Sequence, residues 1–424
     1  MFHQALRQRI HERLLDTIDL RRRDLNRMSD DELRTETAAL IREIIAADRQ
    51  LPATVDRDLL CSEVLDEAIG LGPLEALLAD EAVSEIMVNR FDEIFIERDG
   101  RLTLHPAVFT SDRAVLGVIE RIVAPLGRRI DESSPMVDAR LKDGSRVNAI
   151  IPPLALKGPT LTIRKFARRQ LEVDDLVRLG SLSQDMADFL RICVEQRRNI
   201  IVSGGTGSGK TTFLNLLSNF IPDGERIITI EDAAELRLRH THLVALEARP
   251  SNLEGRGAVS IRDLVRNALR MRPDRIVVGE CRGGEALDML QAMNTGHEGS
   301  LTTLHANSPR DALARLETLV LMAGMDLPLG AIREQIASAV DIIVQQTRFA
   351  CGARRITRIA EVTGMEAGRI QLQELFRFER RASEGGRSQG HFSGCDAIPG
   401  FYDELRGDGL GATLDLRIFD RVAA

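Results

Sequence analysis

The stretch GGTGSGKTT at 204–212, entered from the apolar run NIIVS and left through FLNLL, constrains this chain more than any other feature of its 424 residues. It fits the pattern G-x-x-x-x-G-K-[ST], with Gly204, Gly209, Lys210 and Thr211 in place. Such a loop works only between a strand and a helix. Its glycines let backbone N–H groups curl around phosphates, and the helix beginning near Thr211 aims its positive end at them. Lys210 reaches the outer phosphates and Thr211 can ligate Mg2+. The 57 basic residues include four lysines, Lys142, Lys157, Lys165 and Lys210, so chance rarely puts one inside this pattern. Gly204, Gly205, Thr206, Gly207, Ser208, Gly209, Lys210, Thr211 and Thr212 are therefore assigned to binding a nucleoside triphosphate with its Mg2+.

From residue 184 onward the pattern alternates helix and strand, the rhythm of a parallel sheet with right-handed crossovers. In such a sheet the carboxyl ends of the strands share one edge with the loop. Two of them end in acids. Ile227–Ile230 run into Glu231-Asp232, and Ile276–Val278 run into Gly279-Glu280. Taken alone, Glu280 could be a carboxylate at the start of the helix that begins near Glu285. Beside a phosphate loop the functional reading is stronger, because a Mg2+-nucleotide needs one carboxylate for metal-bound water and another to orient the attacking water. Glu280 and Glu231 are assigned catalytic roles, and Glu280 and Asp232 are expected to reach the metal through water.

The stretch TGHEGSLTTLHANSPRDALARLE places His297 and His305 on either side of a short strand, with Ser308 capping a helix that begins at Pro309. His305 falls where that strand hands over to a loop and is read as a sensor of the γ-phosphate. His297 reads more simply as a structural hydrogen bonder.

The remainder of the chain divides by pattern. Residues 1–54 are helical, with a Ser29–Glu32 capping box and an apolar stripe of Leu33, Leu40, Ile41, Ile44 and Ile45 that should pack on a neighbour or partner. Residues 55–166 read as an α+β domain, with hairpins turning at Asp99-Gly100 and Asp143-Gly144. A polar linker at 167–183 precedes the α/β nucleotide domain at 184–378, and a Gly/Ser-rich extension with one short helix fills 379–424. The hairpin within RRITRIAEVTGMEAGRIQLQELFRF should extend or cover the sheet. No uncharged apolar run approaches the ~20 residues of a membrane span. The N-terminus does not fit a signal peptide. The odd set of five cysteines lacks metal-ligand spacing and suits a reducing compartment. A cytoplasmic location follows as the expectation. A net charge of −7 disfavours a nucleic-acid partner, and Arg clusters such as that at 21–23 read as solvated helix faces.

The phosphate loop, TIEDAAEL, the block LVRNALRMRPDRIVVGECRGGEALDMLQAMNTGHEGSLTTLHANSPRDALARLE and the upstream GPTLTIRKF together resemble the type II/IV secretion ATPase superfamily. Within it the likeness is greatest to the CpaF family of tight-adherence (Tad) pilus ATPases and extends over nearly the whole chain. The resemblance implies a RecA-like P-loop NTPase core preceded by an α+β, PAS-like domain. It implies an Asp box at Glu231-Asp232, an atypical Walker B motif at Glu280, and a His box at His297 and His305. It further implies ATP hydrolysis by a hexameric ring that works on inner-membrane pilus platform proteins, touching the membrane through these partners alone. The N-terminal segment is shorter than the leader of some relatives, and no four-cysteine zinc module is present, so zinc is not expected. A conjugation-type secretion ATPase and, less fittingly, a RecA-like nucleic-acid motor are the rival readings. In a ring, one subunit's arginine can complete the next subunit's site. At least one of Arg164 in TIRKF, and Arg266 with Arg270 at i, i+4 on the helix capped by Ser260, is expected in that role, Arg164 marking domain closure over nucleotide; a solvated helix face or a domain-surface pair is the alternative.

Overall fold

The computed structural model describes residues 2–21, 30–52, 54–98, 100–166, 171–251, 256–380, 389–407 and 415–421. They belong to two compact units, Met1–Arg169 and Gln170–Ala424. Among the described residues, no helix is long and apolar enough to cross a membrane.

The first unit contains helices α1 (Phe2–Arg21), α2 (Asp30–Ala47), α3 (Arg57–Ile69), α4 (Leu74–Ala79) and α5 (Asp112–Val123). Its strands are β1 (Val83–Arg90), β2 (Glu93–Arg98), β3 (Arg101–His105), β4 (Met136–Arg140), β5 (Arg146–Ile150) and β6 (Thr160–Arg164). The apolar stripe of α2 finds its partner within the chain. Ile41 and Ile45 pack with Leu6, Ile10 and Leu14 of α1 and with Leu60 and Val64 of α3 in one small core. Ser29 of the expected capping box, Arg22 and Arg23 lie outside the described residues. The strands form one antiparallel sheet, β3-β2-β1-β6-β5-β4. One face is covered by α5, whose Val115, Val118, Ile119 and Ile122 join Ile86, Val88, Ile94, Leu161 and Ile163. Both expected hairpins are present. Asp99 lies outside the described residues, while Gly100 and Gly144 hold φ of +75° and +94°, which glycine adopts without a Cβ clash.

The second unit contains α6 (Val173–Arg178), α7 (Gln184–Glu195), β7 (Ile200–Gly204), α8 (Lys210–Ser218), β8 (Ile227–Glu231), β9 (Leu243–Glu247), α9 (Ile261–Ala268) and β10 (Arg275–Cys281). It continues through α10 (Glu285–Asn294), β11 (Leu301–Leu304), α11 (Pro309–Leu321), α12 (Leu329–Ala339), β12 (Ile342–Arg348), β13 (Arg354–Glu366), β14 (Arg369–Arg380), β15 (Gly390–Gly394) and α13 (Phe401–Gly407). The sheet runs β15-β14-β13-β12-β7-β11-β10-β8-β9. From β12 to β9 neighbouring strands are parallel, and β13–β15 continue the sheet antiparallel. Strands β7, β8 and β11 are buried along their whole length, which explains their unbroken apolar and Thr/Ser letters.

Three stretches differ from the sequence expectation. Within the expected linker, residues 167–170 lie outside the described residues, but Val173–Arg178 is a helix capped reciprocally by Glu172 and Asp175. Leu176 and Leu182 sit in the same core as Met186 and Phe189, so the polar letters are a cap and an outer face. Arg266 and Arg270 do not share a helix face, because α9 ends at Ala268. Pro273 would clash with a continued helix, and Arg272 turns the chain with φ +55°. The C-terminal extension is more firmly packed than its composition suggests. Residues 381–388 lie outside the described residues, yet Phe401, Tyr402 and Phe419 pack around Phe189 at ring separations of 6.3, 6.3 and 5.5 Å.

Candidate nucleotide site

The phosphate loop leaves β7 at the carboxyl edge of the sheet and enters α8 at Lys210, as the strand–loop–helix pattern requires. Gly207 and Gly209 hold φ of +68° and +99°. Lys210 Nζ donates to the carbonyls of Gly204 and Gly205 at 3.0 and 3.2 Å, so the cation lies folded over the loop. Thr211 and Thr212 occupy the first turn of α8. The glycines also answer a demand that the motif does not reveal. A Cβ on Gly204 would stand 2.5 Å from the Gln346 carbonyl, one on Gly207 2.9 Å from Arg348 Nη1, and one on Gly209 3.2 Å from Gln346 Nε2. The loop is thus pressed from outside by β12 and its turn.

Four elements meet at this edge through polar side chains. Thr206 Oγ1 lies 3.2 Å from His305 Nε2. His305 Nδ1 lies 3.7 Å from Glu280 Oε1. Arg282 then donates to Glu280 Oε2 at 2.7 Å and to Asp232 Oδ2 at 3.2 Å. One continuous chain therefore runs from the phosphate loop through the His305 strand end to both acidic strand ends. Arg282 was not singled out in the sequence. The available signal was its spacing, since i and i+2 side chains leave an extended segment on one side, which puts Arg282 beside Glu280. Glu285 takes the helix-start role considered for Glu280, accepting the N–H groups of Arg282 and Gly283 at 2.5 and 2.7 Å.

Glu231 stands apart from this chain. Its side chain is buried, and Oε1 accepts the N–H groups of Glu235 and Leu236 at 2.9 and 3.1 Å. Burial pushes its carboxyl up to about 7 against the opposing pull of those two N–H groups. The adjacent strand leaves space for it. A Cβ on Gly279 would lie 2.9 Å from Glu231 Cγ, which gives the Gly279-Glu280 strand end a steric reason as well as a chemical one.

The other assigned residues are dispersed. His297 lies in the turn before β11 and His305 just after it, at opposite ends of the strand. Arg266 donates to the buried carboxylate of Asp288 at 2.8 Å, and Arg262 donates to its other oxygen at 2.7 Å. Arg270 is exposed beyond the end of α9. Arg164 belongs to the first unit, where Arg140, Arg146 and Arg164 stand in register across β4, β5 and β6. This row ends at Glu85, whose Oε1 is 3.6 Å from Arg164 Nε.

The donor set suits ATP with Mg2+. The Thr211 hydroxyl and the Asp232 and Glu280 carboxylates offer hard oxygen ligands, directly or through water. The loop offers backbone N–H groups, with glycine at four of the six positions from 204 to 209 to limit obstruction by side chains.

The chain is similar to known proteins over most of its length. A family model described as "Type II/IV secretion system protein" matches residues 67–392. The chain is 39% identical over 317 residues to the type IV secretion system protein PtlH of Bordetella pertussis, covering 67% of this chain and 91% of that one. It is 35% identical over 307 residues to the conjugal transfer protein TrbB of Rhizobium radiobacter, covering 71% and 90%. Its fold resembles the crystal structure of the pilus retraction motor PilT with bound ADP, at TM-score 0.51 and 19% identity over 82% of this chain and 89% of that one. The Yersinia pseudotuberculosis ATPase DotB gives TM-score 0.51 and 18% identity over 74% and 82%.

Proposed function

Because this chain belongs to the type II/IV secretion system protein family, and its fold resembles those of the ADP-bound motor PilT and the ATPase DotB, we propose that it hydrolyses ATP at the loop 204–212. The observation that carries the proposal is the side-chain path Thr206–His305–Glu280–Arg282–Asp232, which ties the loop to the acids. In this reading Glu280 accepts a proton from the attacking water, and Arg282 fixes the rotamer of Glu280. His305 links that carboxylate to the loop. Thr211, with Asp232 and Glu280 through water, would hold Mg2+, which supplies charge neutralisation at the phosphates. Glu231 acts by fixing the Glu235–Leu236 turn behind Asp232.

The motor we infer is a hexameric ring of this chain. It drives assembly of tight-adherence or related pili, or secretion, through an inner-membrane platform while itself remaining cytoplasmic. Sequence likeness to the CpaF family supports the pilus reading. The likeness to PtlH and TrbB supports a second one, a conjugation-type type IV secretion ATPase. The two readings use the same nucleotide site and differ in the partners that the motor meets. We read the antiparallel first unit as a PAS-like domain, and its Arg164 as one arginine that completes a neighbouring subunit's site; Arg266 and Arg270 are the others assigned to this role.

Lys210→Ala tests the proposal. It should abolish hydrolysis with the circular dichroism spectrum unchanged, because the loop loses its own cation on the outer phosphates. Retained turnover in that variant would remove the ATPase reading. The membrane proteins that copurify with the chain decide between the pilus and conjugation systems.

A further inference from the structure

We propose that Arg354 and Arg348, carried at the two ends of the turn between β12 and β13, are positioning residues for the phosphate loop. They hold the Gly207 peptide so that the loop presents its N–H groups to phosphate. The inference rests on the ATP-binding reading and adds to it a part of the fold outside the nucleotide motif.

Arg354 Nε donates to the Gly207 carbonyl at 2.9 Å. Arg348 approaches the same residue, with Nη1 2.9 Å from where a Gly207 Cβ would stand. Across a trans peptide, a carbonyl and the following N–H point in opposite directions. Anchoring the Gly207 carbonyl on the outside of the loop therefore directs the Ser208 N–H to the other side. That N–H meets the Gly205 carbonyl at a long 3.4 Å, a weak bond that a phosphate oxygen can replace. Gly207 is in the left-handed region, φ +68°, where little besides an external contact selects one peptide orientation over its flip. Two guanidinium groups also add fixed positive charge behind a loop whose ligand is anionic.

The turn is built to hold this position. Phe349 lies in the turn and packs on Phe378 of β14 at 6.0 Å, and Phe378 packs on Phe392 of β15 at 5.1 Å. Arg355 lies over Phe378 at 4.5 Å and Arg380 over Phe349 at 4.4 Å. The Thr347 and Thr357 hydroxyls meet across the hairpin at 3.1 Å. The antiparallel strands added to the sheet thus serve as a base for the arginines. Support of a binding group by a second layer of packed side chains is how a site keeps its geometry.

The test is calorimetric titration of the full chain with ADP, alongside steady-state ATP hydrolysis and thermal melting. Arg354→Ala should weaken ADP binding by about tenfold or more, the scale of a lost charge-assisted hydrogen bond. KM for ATP should rise by a similar factor, and kcat should fall less. Arg354→Lys keeps a cationic donor and should recover most of the affinity. Phe392→Ala, which touches no loop residue, should weaken ADP binding in the same direction. Unchanged ADP affinity in Arg354→Ala would overturn the inference alone. So would equal losses in the Ala and Lys variants that merely follow a fall in Tm. Absence of ADP binding by the unsubstituted chain would overturn the nucleotide reading and this inference with it.

Discussion

Arg282 donates to the Glu280 carboxylate at 2.7 Å while its other terminal nitrogen reaches Asp232 at 3.2 Å. A planar guanidinium can bridge two acids in this way, and an ammonium on a flexible stem does so poorly. Without the bridge, the two carboxylates at this sheet edge would repel and lose their common orientation. Arg282→Ala should lower kcat by roughly 10- to 100-fold, in the range of lost proton-transfer and positioning effects. Arg282→Lys should recover only part. Steady-state hydrolysis at saturating ATP checks this, and wild-type kcat in the alanine variant would rule out the bridging role.

Gly279→Ala places a Cβ 2.9 Å from Glu231 Cγ inside a buried layer. Overpacking of this kind costs about 1–3 kcal/mol. The cost should shrink in a Glu231→Ala background, where the opposing side chain is gone, and a double-mutant cycle of denaturation midpoints measures that coupling. Additive effects would mean that Glu231 is not what requires glycine at 279.

The Glu231 carboxyl also makes stability depend on pH. Burial raises it to about 7 in the folded chain, against the ordinary value of 4.5. The native state therefore binds the extra proton between these values, and its contribution is present below about 4.5 and lost as pH rises through about 7. The loss is on the order of 3 kcal/mol. Glu231→Gln should flatten this part of the stability–pH curve, and urea denaturation at pH 5 and pH 8 compares the two chains. Its turnover should fall only mildly, about tenfold or less, as befits a residue that fixes a turn.

Much of the site was legible because its chemistry is carried by local patterns. A glycine loop between an apolar strand and a helix reads as a phosphate cradle, and acids at strand ends have a fixed edge in a parallel sheet. Arg282, Arg348 and Arg354 were not legible for a different reason. Their roles arise where the chain returns to the loop, and nothing in 57 basic residues marks the three that do so. The α9 boundary was missed because Pro273 acts four residues upstream through the backbone, outranking the i, i+4 spacing of Arg266 and Arg270. The boundary of the two units falls inside the expected linker, but the helix there was not legible, because α6 is short and its capping acids, Glu172 and Asp175, mask the buried Leu176. The C-terminal packing was hidden by distance, since Phe401, Tyr402 and Phe419 meet Phe189 from more than two hundred residues away in sequence.

The proposed trans-acting arginines separate by their surroundings. Both are about equally exposed, but Arg266 donates at 2.8 Å to the buried carboxylate of Asp288, whereas Arg164 stands in a row of cations and faces Glu85 at a looser 3.6 Å. Mixing Lys210→Ala chains with Arg164→Ala chains should restore ATPase activity above either parent, because some interfaces then pair an intact loop with an intact arginine. The same mixture made with Arg266→Ala should regain less. Mixed assemblies as inactive as both parents would show that Arg164 does not act across a subunit boundary.

The central claim is that Glu280 activates water for hydrolysis at this loop. The turnover of ATP by the Glu280→Gln chain, measured at saturating ATP with ADP binding verified in the same preparation, tests it most directly. The amide preserves size and a hydrogen-bonding oxygen but cannot accept the proton, so turnover should fall by at least about 100-fold while ADP still binds. Turnover close to that of the unsubstituted chain would contradict the claim.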